Sequence, residues 1–241
     1  MNWTIERYDD VQSTQDILKA LAENGAPEGR VVVAKSQAGG RGRQGRVWVS
    51  EPGNLYFSLL LRPSCGLNAI GQLALIVGVS IGAALRAIIL EPEALSLKWP
   101  NDVFLNGKKC AGILIETELD KNNILDWVVV GVGLNIANAP KDIGAALSDY
   151  CLSSIDVNDV HQALLNEIEQ RYNQWSAEGF AAIKEEWLSM AHPVGTPIRV
   201  GAGKYMRRGT FHDVDNHGSL LLRDDEGQVR TLSAGDVHIQ G

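Results

Sequence analysis

The feature that most constrains the fold of this 241-residue chain is a long apolar run at residues 69–90. Its length approaches the roughly 20 apolar residues that span a bilayer. Gln72 and Arg86 interrupt the run, however, and no basic flank sets a membrane orientation. These features favour a helix buried inside a globular protein. Its small residues, among them Gly71 and Gly82, would let that helix lie close against a β-sheet.

Short apolar segments bounded by turn residues predict the strands of such a sheet. They lie at residues 30–36, 54–62, 94–98 and 126–135. Helical periodicity predicts further helices at residues 15–24, 157–174 and 180–191, with Ser13 or Thr14 as the N-cap of the first.

The sequence pattern changes beyond Thr196. Short alternating segments at 197–200, 207–214, 219–223 and 228–232 are separated by turn sequences such as Asn216-His217-Gly218. This pattern is typical of hairpins and predicts a small β-barrel. Because about fifty residues are near the lower limit for independent stability, we expect the barrel to pack on the main domain.

Composition excludes several classes of protein. A content of 45% hydrophobic and 21% charged residues supports a packed core, and a net charge of -7 argues against a general nucleic-acid binder. Cys65, Cys110 and Cys151 lack paired spacing, which predicts free thiols in a reducing compartment. The polar start of the chain, residues 1–16, does not resemble a signal peptide, so we expect a cytoplasmic protein. The five histidines show no metal-ligand spacing and are expected at the surface or in the barrel.

A glycine-arginine segment, Gly40-Arg41-Gly42-Arg43-Gln44-Gly45-Arg46 followed by Val47-Trp48, carries the strongest chemical signal. Glycines let backbone N–H groups approach an anion, and arginine offers a fork of donors that matches phosphate or carboxylate oxygens. A solvated surface loop or a disordered nucleic-acid-binding tract has the same composition. On an acidic chain, however, clustered arginines point to a confined anionic ligand.

The second chemical cluster is Lys98-Trp99-Pro100-Asn101-Asp102, followed by a lysine-rich hairpin at residues 106–116. Pro100 prevents helix formation and presents Asn101 and Asp102 at the end of a strand. An ordinary hairpin turn without chemistry would look similar.

These segments, in this order, resemble a biotin protein ligase over essentially the whole chain. The matching positions are Ser13-Thr14, Gln37, Gly40 to Arg46 with Trp48, Asn54-Leu55-Tyr56, Lys98 to Asp102, Lys109 with Ala111 to Leu114, and Gly131 to Asn135. The resemblance implies an α+β fold: a mixed β-sheet catalytic domain at 1–191, with helices packed on the sheet, and an SH3-like C-terminal β-barrel at 192–241. Because only a dozen residues precede Ser13, we expect no DNA-binding domain and no repressor function.

The resemblance also implies a two-step reaction. Biotin and ATP form biotinyl-5′-AMP, and the biotinyl group then passes to a lysine of a biotin carboxyl carrier protein. Lys109 would stabilise the charge that builds when the two anions meet, Asn101 is the candidate contact for Mg²⁺, and Asp102 would act as base or positioning group.

The biotin site implied by the resemblance is neutral and largely apolar. Ser13, Thr14 and Gln37 would bind the ureido ring, and Gln15 stands where many relatives carry asparagine. The remaining biotin positions are Gly40, Arg41, Gly42, Tyr56, Lys109, Gly112, Leu114 and Gly131.

The nucleotide site uses the arginine loop, residues 40–46. Arg41 and Arg43 would face the acyl-phosphate, Arg46 the polyphosphate, and Trp48 would pack beside the nucleotide. Asn135 is the position for adenine recognition, and Asn101 and Lys109 complete the set. Closure of the loop would protect an adenylate that water hydrolyses readily.

Two alternatives remain at this stage. A lipoate or octanoate ligase would share the scaffold, and a non-catalytic nucleic-acid-binding module would share the arginine-glycine loop. The expected partner is a carrier protein that docks on a sheet edge, and the same edge can pair two copies into a homodimer. Neither DNA nor a membrane is an expected partner.

Overall fold

The computed structural model describes residues 1–122, 124–201 and 203–239. Its α-helices are α1 (Thr14–Glu23), α2 (Ile70–Arg86), α3 (Val157–Glu178) and α4 (Ala181–Met190). The strands of the main domain are β1 (Thr4–Val11), β2 (Arg30–Gln37), β3 (Leu55–Leu61), β4 (Leu95–Lys98), β5 (Asp102–Leu105), β6 (Lys108–Leu119) and β7 (Leu125–Leu134). Those of the C-terminal domain are β8 (Pro197–Val200), β9 (Arg207–Val214), β10 (Leu220–Arg223), β11 (Val229–Leu232) and β12 (Val237–Ile239).

The main sheet has seven strands in the order β1-β2-β3-β7-β6-β5-β4. Strands β1 and β2 are parallel, and the other neighbours are antiparallel, so the predicted mixed sheet is confirmed. All four strands predicted for this sheet are present, with ends shifted by at most one residue. The edges of the sheet are β1 and β4.

The apolar run forms the buried core helix α2, as predicted. A helix at Leu67–Arg86 is long and apolar enough to cross a membrane, yet 61% of its most apolar window is buried inside the protein. Gly82 allows close packing, because a Cβ there would lie 2.7 Å from Met190 Sδ. Gly71 has a different role from the one expected. It faces the C-terminal domain, where a Cβ would lie 2.7 Å from His217 O, and not the sheet.

The two faces of the sheet carry different helices. Side chains of β3 and β7 point alternately to the two faces. Phe57 and Val130 belong to the large core around α2, whereas Leu60 and Val129 pack with α1 on the other face. Leu18 of α1 is fully buried in this second, smaller cluster. The face covered by α1 is the one that holds the site described below.

The C-terminal domain is a five-stranded antiparallel sheet in the order β11-β10-β9-β8-β12 and is SH3-like. Its apolar residues continue the main core, as expected for so small a module. Trp99 Nε1 donates to Gly218 O at 2.9 Å, and Lys184 pairs with Asp213 at 2.8 Å. The C-terminal domain is therefore fixed against the main domain.

One histidine contradicts the expectation of surface or barrel positions. His161 lies on α3, is 2% exposed, and packs edge-on against the ring of Phe57 at 4.9 Å. Burial, with a smaller effect of Arg7, lowers its pKa to about 4. The reason is its place on the apolar face of α3, which it shares with Leu164, Leu165 and Ile168.

Protonation of His161 is expected to destabilise the fold in mild acid. The unfolded chain takes up this proton near pH 6.5, whereas the folded chain holds the ring neutral until about pH 4. Stability is therefore complete above pH 6.5 and falls by about 3 kcal/mol as the pH drops to 4. Denaturant unfolding at several pH values should show this fall reduced in His161→Leu but unchanged in a control, His217→Ala, in an exposed turn. Equal pH dependence in wild type and His161→Leu would contradict the prediction.

Candidate active site

The cavity begins at the point along β7 where the residues on one face change from large side chains to glycine. On the face that α1 covers, Trp127 and Val129 are buried under the helix, but the next two positions on that face are Gly131 and Gly133. Gly131 lies between Ser58 and Leu114 on the neighbouring strands, in register. The missing side chains, together with the end of α1 at Thr14, leave a cavity of about 430 Å³.

One end of this cavity is neutral and polar. Thr14 donates its backbone N–H to Gln37 Oε1 at 2.9 Å, and its hydroxyl lies 2.7 Å from that of Ser58. Gln37 Nε2 in turn donates to Ser50 Oγ at 3.0 Å. Ser13, at the N-cap position, makes no capping bond with its side chain. Hydroxyl and amide groups without charge suit a neutral ligand that carries both donors and acceptors.

Ser58 is the residue of this end that sequence reasoning missed. It is fully buried on β3 and lines the cavity beside Thr14. The signal was a serine among the aliphatic and aromatic residues of Leu55–Leu61, which is an expensive place to bury a small polar group without a partner.

Gln15 forms the floor of the neutral end. A Cβ on Gly131 would lie 2.9 Å from Gln15 Cδ, so the amide rests directly on the glycine. Its Nε2 donates to Glu116 Oε2 at 3.0 Å, whereas Oε1 is buried without a hydrogen-bond partner among the described residues. The longer side chain noted in the sequence thus reaches β6 and leaves an acceptor at the cavity.

The arginine loop closes on itself at its two ends. Trp48 N donates to Gly40 O at 2.9 Å, and Gly42 N donates to Arg46 O at 2.7 Å. At the tip, Gln44 and Gly45 have positive φ angles of 56° and 73°. This left-handed conformation favours glycine at the second position and costs about 1 kcal/mol or more at glutamine.

Trp48 lies flat on a platform of two glycines. A Cβ on Gly133 would lie 2.5 Å from Cε2 and Nε1 of the indole, and one on Gly112 would lie 2.9 Å from its Cζ3. Lys109 Nζ lies 5.2 Å from the centre of the same ring. Gly112 of β6 and Gly133 of β7 therefore set the position of the indole.

Lys109 is held in the cavity by Asp102. Its Nζ lies 2.5 Å from Asp102 Oδ1, and Lys98 Nζ lies 3.6 Å from the other carboxylate oxygen. Burial lowers the pKa of Lys98, and the neighbouring Asp102 opposes that effect. One carboxylate thus serves two ammonium groups, and only Lys109 of the pair lines the cavity.

Arg43 and Arg46 reach toward the turn before β12. Arg43 Nη1 donates to Asn101 Oδ1 at 3.1 Å and to Gly235 O at 3.4 Å. Arg46 forms an ion pair with Asp236, which also lines the cavity. The C-terminal domain therefore contributes a carboxylate to the site, which no sequence pattern had indicated.

Arg41 has different partners. Its guanidinium donates to both carboxylate oxygens of Asp16 at 2.9 and 2.6 Å and lies 3.4 Å from Glu116 Oε2. The side chain lines the cavity, but its donors face protein carboxylates.

Two asparagines line the cavity near the arginine loop and Lys109. Asn101 Nδ2 donates to Ile113 O at 2.6 Å, which leaves its oxygen for Arg43. Asn135 is 3% exposed, and its Nδ2 donates to Lys109 O at 3.3 Å. Asn135 thus fixes the backbone that carries Lys109 as well as lining the cavity.

The structure brings most of the predicted site residues together around the cavity. Those that line it are Ser13, Thr14, Gln37, Arg41, Gly42, Arg43, Arg46, Trp48, Asn101, Asp102, Lys109, Gly112, Leu114, Gly131 and Asn135. Gly40 and Tyr56 lie outside the lining. Tyr56 is fully buried and donates its hydroxyl to Glu51 O at 2.9 Å, so its polar group is directed away from the ligand space. Gly40 is pressed against Ser50 Oγ, 2.6 Å from where its Cβ would stand.

The electrostatics of the two ends define the class of ligand. Four cations (Arg41, Arg43, Arg46 and Lys109) and two carboxylates (Asp102 and Asp236) line the cavity, and among the described residues no hydrogen bond joins any of them to Thr14, Gln37 or Ser58. Within the described ranges no three His, Cys, Asp or Glu side chains cluster as metal ligands. The α+β fold thus carries a cavity that suits an uncharged polar group at one end and an anionic, phosphate-bearing group at the other.

Comparison with known proteins gives the family. The model of the biotin/lipoate A/B protein ligase family matches residues 8–135, and that of the biotin protein ligase C terminal domain matches residues 195–239. The chain belongs to the biotin/lipoate A/B protein ligase family and carries the C-terminal domain of biotin protein ligases.

Relatives of similar architecture cover nearly the whole chain. The bifunctional ligase/repressor BirA of Bacillus subtilis (strain 168) is 36% identical over 245 residues, covering 96% of this chain and 73% of the relative. The biotin–acetyl-CoA-carboxylase ligase of Paracoccus denitrificans is 35% identical, covering 87% and 90%. The solved structure of the biotin protein ligase from Aquifex aeolicus, in complex with biotin and ATP, has a TM-score of 0.79 and 29% identity and covers 98% of both chains.

Proposed function

We propose that this protein is an ATP-dependent ligase that converts biotin to biotinyl-5′-AMP and transfers the biotinyl group to a lysine of a carrier protein. The Paracoccus denitrificans relative and the solved structure named above are biotin ligases, so the lipoate or octanoate alternative is not favoured. A non-catalytic nucleic-acid-binding module is not favoured either, because the arginine loop borders the same cavity as the uncharged groups of Thr14, Gln37 and Ser58.

The observation that carries the proposal is the position of Lys109 between two chemically different ends of one cavity. On one side lie the uncharged groups of Thr14, Gln37 and Ser58, and on the other lie the arginine loop and the indole of Trp48. A ureido ring at the neutral end and a nucleotide at the cationic end would bring carboxylate and α-phosphate together beside the Lys109 ammonium group.

In the first step a biotin carboxylate oxygen attacks the α-phosphorus of ATP, and pyrophosphate leaves. The two reactants repel each other as anions, so a cation at the point of attack stabilises the transition state more than the ground state. We assign this role to Lys109, which Asp102 holds at 2.5 Å. Arg43 and Arg46 then have the phosphates as alternative partners to Asn101 and Asp236.

The oxygen atoms that line the cavity limit how Mg²⁺ could be bound. Asn101 Oδ1 and the carboxylates of Asp102 and Asp236 line the cavity, but each already faces a cation of the protein. Mg²⁺ keeps several waters and commonly binds through substrate phosphates with few protein ligands. The residues therefore fit an ion that arrives on ATP, with Asn101 as its one neutral protein contact, and such an ion would neutralise phosphate charge.

In the second step the carrier lysine attacks the acyl carbonyl carbon, and AMP leaves. The incoming amine must lose a proton, and a carboxylate within the cavity is a suitable acceptor. We propose Asp102 for this role in addition to positioning Lys109. Arg43 would retain the adenylate until the carrier arrives, because it ties the loop to Asn101 on the opposite wall.

Several finer assignments are also proposals. The carrier is a biotin carboxyl carrier protein or domain, and it docks on an edge strand of the main sheet, β1 or β4, an edge that also offers a pairing surface for a homodimer. A DNA partner is not proposed, given the net charge of -7. A cytoplasmic location is supported by three free cysteines. The domain division at 191 and 192 is supported by the end of α4 at Met190 and the start of β8 at Pro197.

Biotin-dependent exchange of labelled pyrophosphate into ATP tests the proposed function. The purified protein is expected to catalyse exchange with biotin and not with lipoate or octanoate at equal concentration, because the neutral end offers partners for a ureido group that the fatty acids lack. Exchange with lipoate or octanoate at the biotin rate would identify a different acyl specificity. Absence of exchange with every acid would refute adenylation itself.

A further inference from the structure

The guanidinium of Arg41 is engaged by the protein in a way that those of Arg43 and Arg46 are not. It donates to both oxygens of Asp16 and lies 3.4 Å from Glu116 Oε2. This parallel pairing of two donors with one carboxylate is strong and orientation-specific. The other two arginines make single contacts with each of their partners.

Both carboxylates belong to elements that build the neutral end of the cavity. Asp16 follows Thr14 and Gln15 in the first turn of α1. Glu116 lies on β6, two residues beyond Leu114, and also accepts from Gln15 Nε2 at 3.0 Å and from Lys19 Nζ at 3.2 Å. The same carboxylate therefore contacts the floor of the biotin pocket and the arginine loop.

Arg41 also stands at the root of the loop. It forms an isolated antiparallel bridge with Val47, next to the bond from Trp48 N to Gly40 O. The two ends of the loop meet at this point, whereas Arg43 lies toward the tip. A contact that fixes Arg41 therefore sets the direction in which the rest of the loop extends over the cavity.

We propose that Arg41 is a positioning residue and not a phosphate ligand: its pairing with Asp16 and Glu116 anchors the root of the arginine loop to the biotin end of the cavity. A bound acid that orders the first turn of α1 would then also order the loop that covers the phosphates. This inference rests on the proposed function and replaces the expectation that Arg41 faces the acyl-phosphate. The pairing also lowers the pKa of Asp16, so the anchor is charged throughout the neutral range.

A charge exchange between positions 16 and 41 tests the anchor. Arg41→Asp and Asp16→Arg should each raise the KM for biotin in pyrophosphate exchange by at least about tenfold, because like charges replace the pair. The double variant should return to within about threefold of wild type, as expected for two residues that act on each other. The matched control Lys19→Met, which removes a different contact of Glu116, should stay within about twofold.

Arg41→Met supplies a second measurement that introduces no new charge. The anchor predicts that the KM for biotin and the KM for ATP rise together, because the loop that carries Arg43 and Arg46 loses its fixed root. A phosphate ligand predicts a rise in the KM for ATP alone, and it also predicts no recovery in the double variant, where an aspartate would face the phosphates. Either of these results would overturn the proposal. Lack of exchange by the wild-type protein would instead refute the proposed function, so the two failures are distinguishable.

Discussion

Replacement of Lys109 with alanine is expected to lower kcat for biotin-dependent pyrophosphate exchange by at least about a hundredfold, which is typical when a group that stabilises transition-state charge is removed. The ammonium group is the cation that lies between the neutral end of the cavity and the Trp48 platform. Without it, two anions must meet beside an uncompensated Asp102. The KM for biotin should change much less than kcat, because the ureido ring binds at the other end of the cavity.

The neighbouring lysine provides a matched control. Lys108 is exposed at the start of β6 and lies outside the cavity lining, so Lys108→Ala should keep kcat within about twofold. The two variants remove the same charge from the same strand and differ only in the face on which it lies. Lys109→Arg gives a further comparison, since it keeps the charge but cannot take the same position against Asp102.

A kcat for Lys109→Ala within tenfold of wild type would contradict the assignment. Lys98 would then be the candidate for the catalytic cation. It shares Asp102 with Lys109, and burial lowers its pKa. Loss of exchange in Lys98→Met but not in Lys109→Ala would place the catalytic cation on β4.

The composition of the site could be predicted from the sequence because its chemistry requires particular residue types in particular contexts. A glycine-arginine loop, a lysine beside a strand-end Asn-Asp pair and a glycine-ended apolar strand are each ambiguous, and their fixed order made the resemblance specific. The lining of one cavity by Lys109, Arg43 and Gly131 agrees with that prediction of proximity.

What the sequence could not provide was the partner of each charged group. The pairing of Arg41 with Asp16 depends on how far α1 stands from the loop, and that distance is set by tertiary packing. The role of Asp236 depends on how the C-terminal domain is seated. Tyr56 was assigned from resemblance alone, and only the structure shows that its hydroxyl reaches Glu51 O.

Physical reasons also explain why strand β1 and the burial of His161 are not predicted from the sequence. Strand β1 is a sheet edge whose sequence, TIERYDDV, alternates weakly because most of its side chains are partly or fully exposed. Helix periodicity could have located His161, which lies three, four and seven positions before Leu164, Leu165 and Ile168 on the buried face of α3. The expectation that isolated histidines lie at the surface is therefore wrong for a histidine at helical spacing from buried leucines.

Two glycines on one strand should separate biotin binding from ATP binding. Gly131→Val would place a side chain against Gln15, whose Cδ lies 2.9 Å from the Cβ position, and would fill the floor of the neutral end. Gly133→Val would instead displace the indole of Trp48, 2.5 Å from the Cβ position. Overpacking of this kind typically costs about 1–3 kcal/mol, so we expect affinity losses of about tenfold to a hundredfold, each for a different ligand.

The measurements are the dissociation constant of biotin without nucleotide and the KM for ATP at saturating biotin. Gly131→Val should weaken biotin binding and leave the KM for ATP near wild type once biotin saturates. Gly133→Val should raise the KM for ATP and leave the dissociation constant of biotin within about threefold, since Thr14 and Gln37 are untouched. The same overpacking should lower the unfolding temperature by about 2–4 °C for each kcal/mol, so binding is measured well below the unfolding temperature of both variants.

This pair of variants distinguishes a divided cavity from a continuous one. The two positions lie on the same strand and face the same side, so a general loss of sheet packing would affect both ligands in both variants. Equal losses of biotin and ATP binding in Gly131→Val would show that the neutral end does not bind the biotin ring by itself. The opposite selectivities expected here would instead establish that β7 carries the two substrates on successive glycines, with Lys109 of β6 acting where they meet.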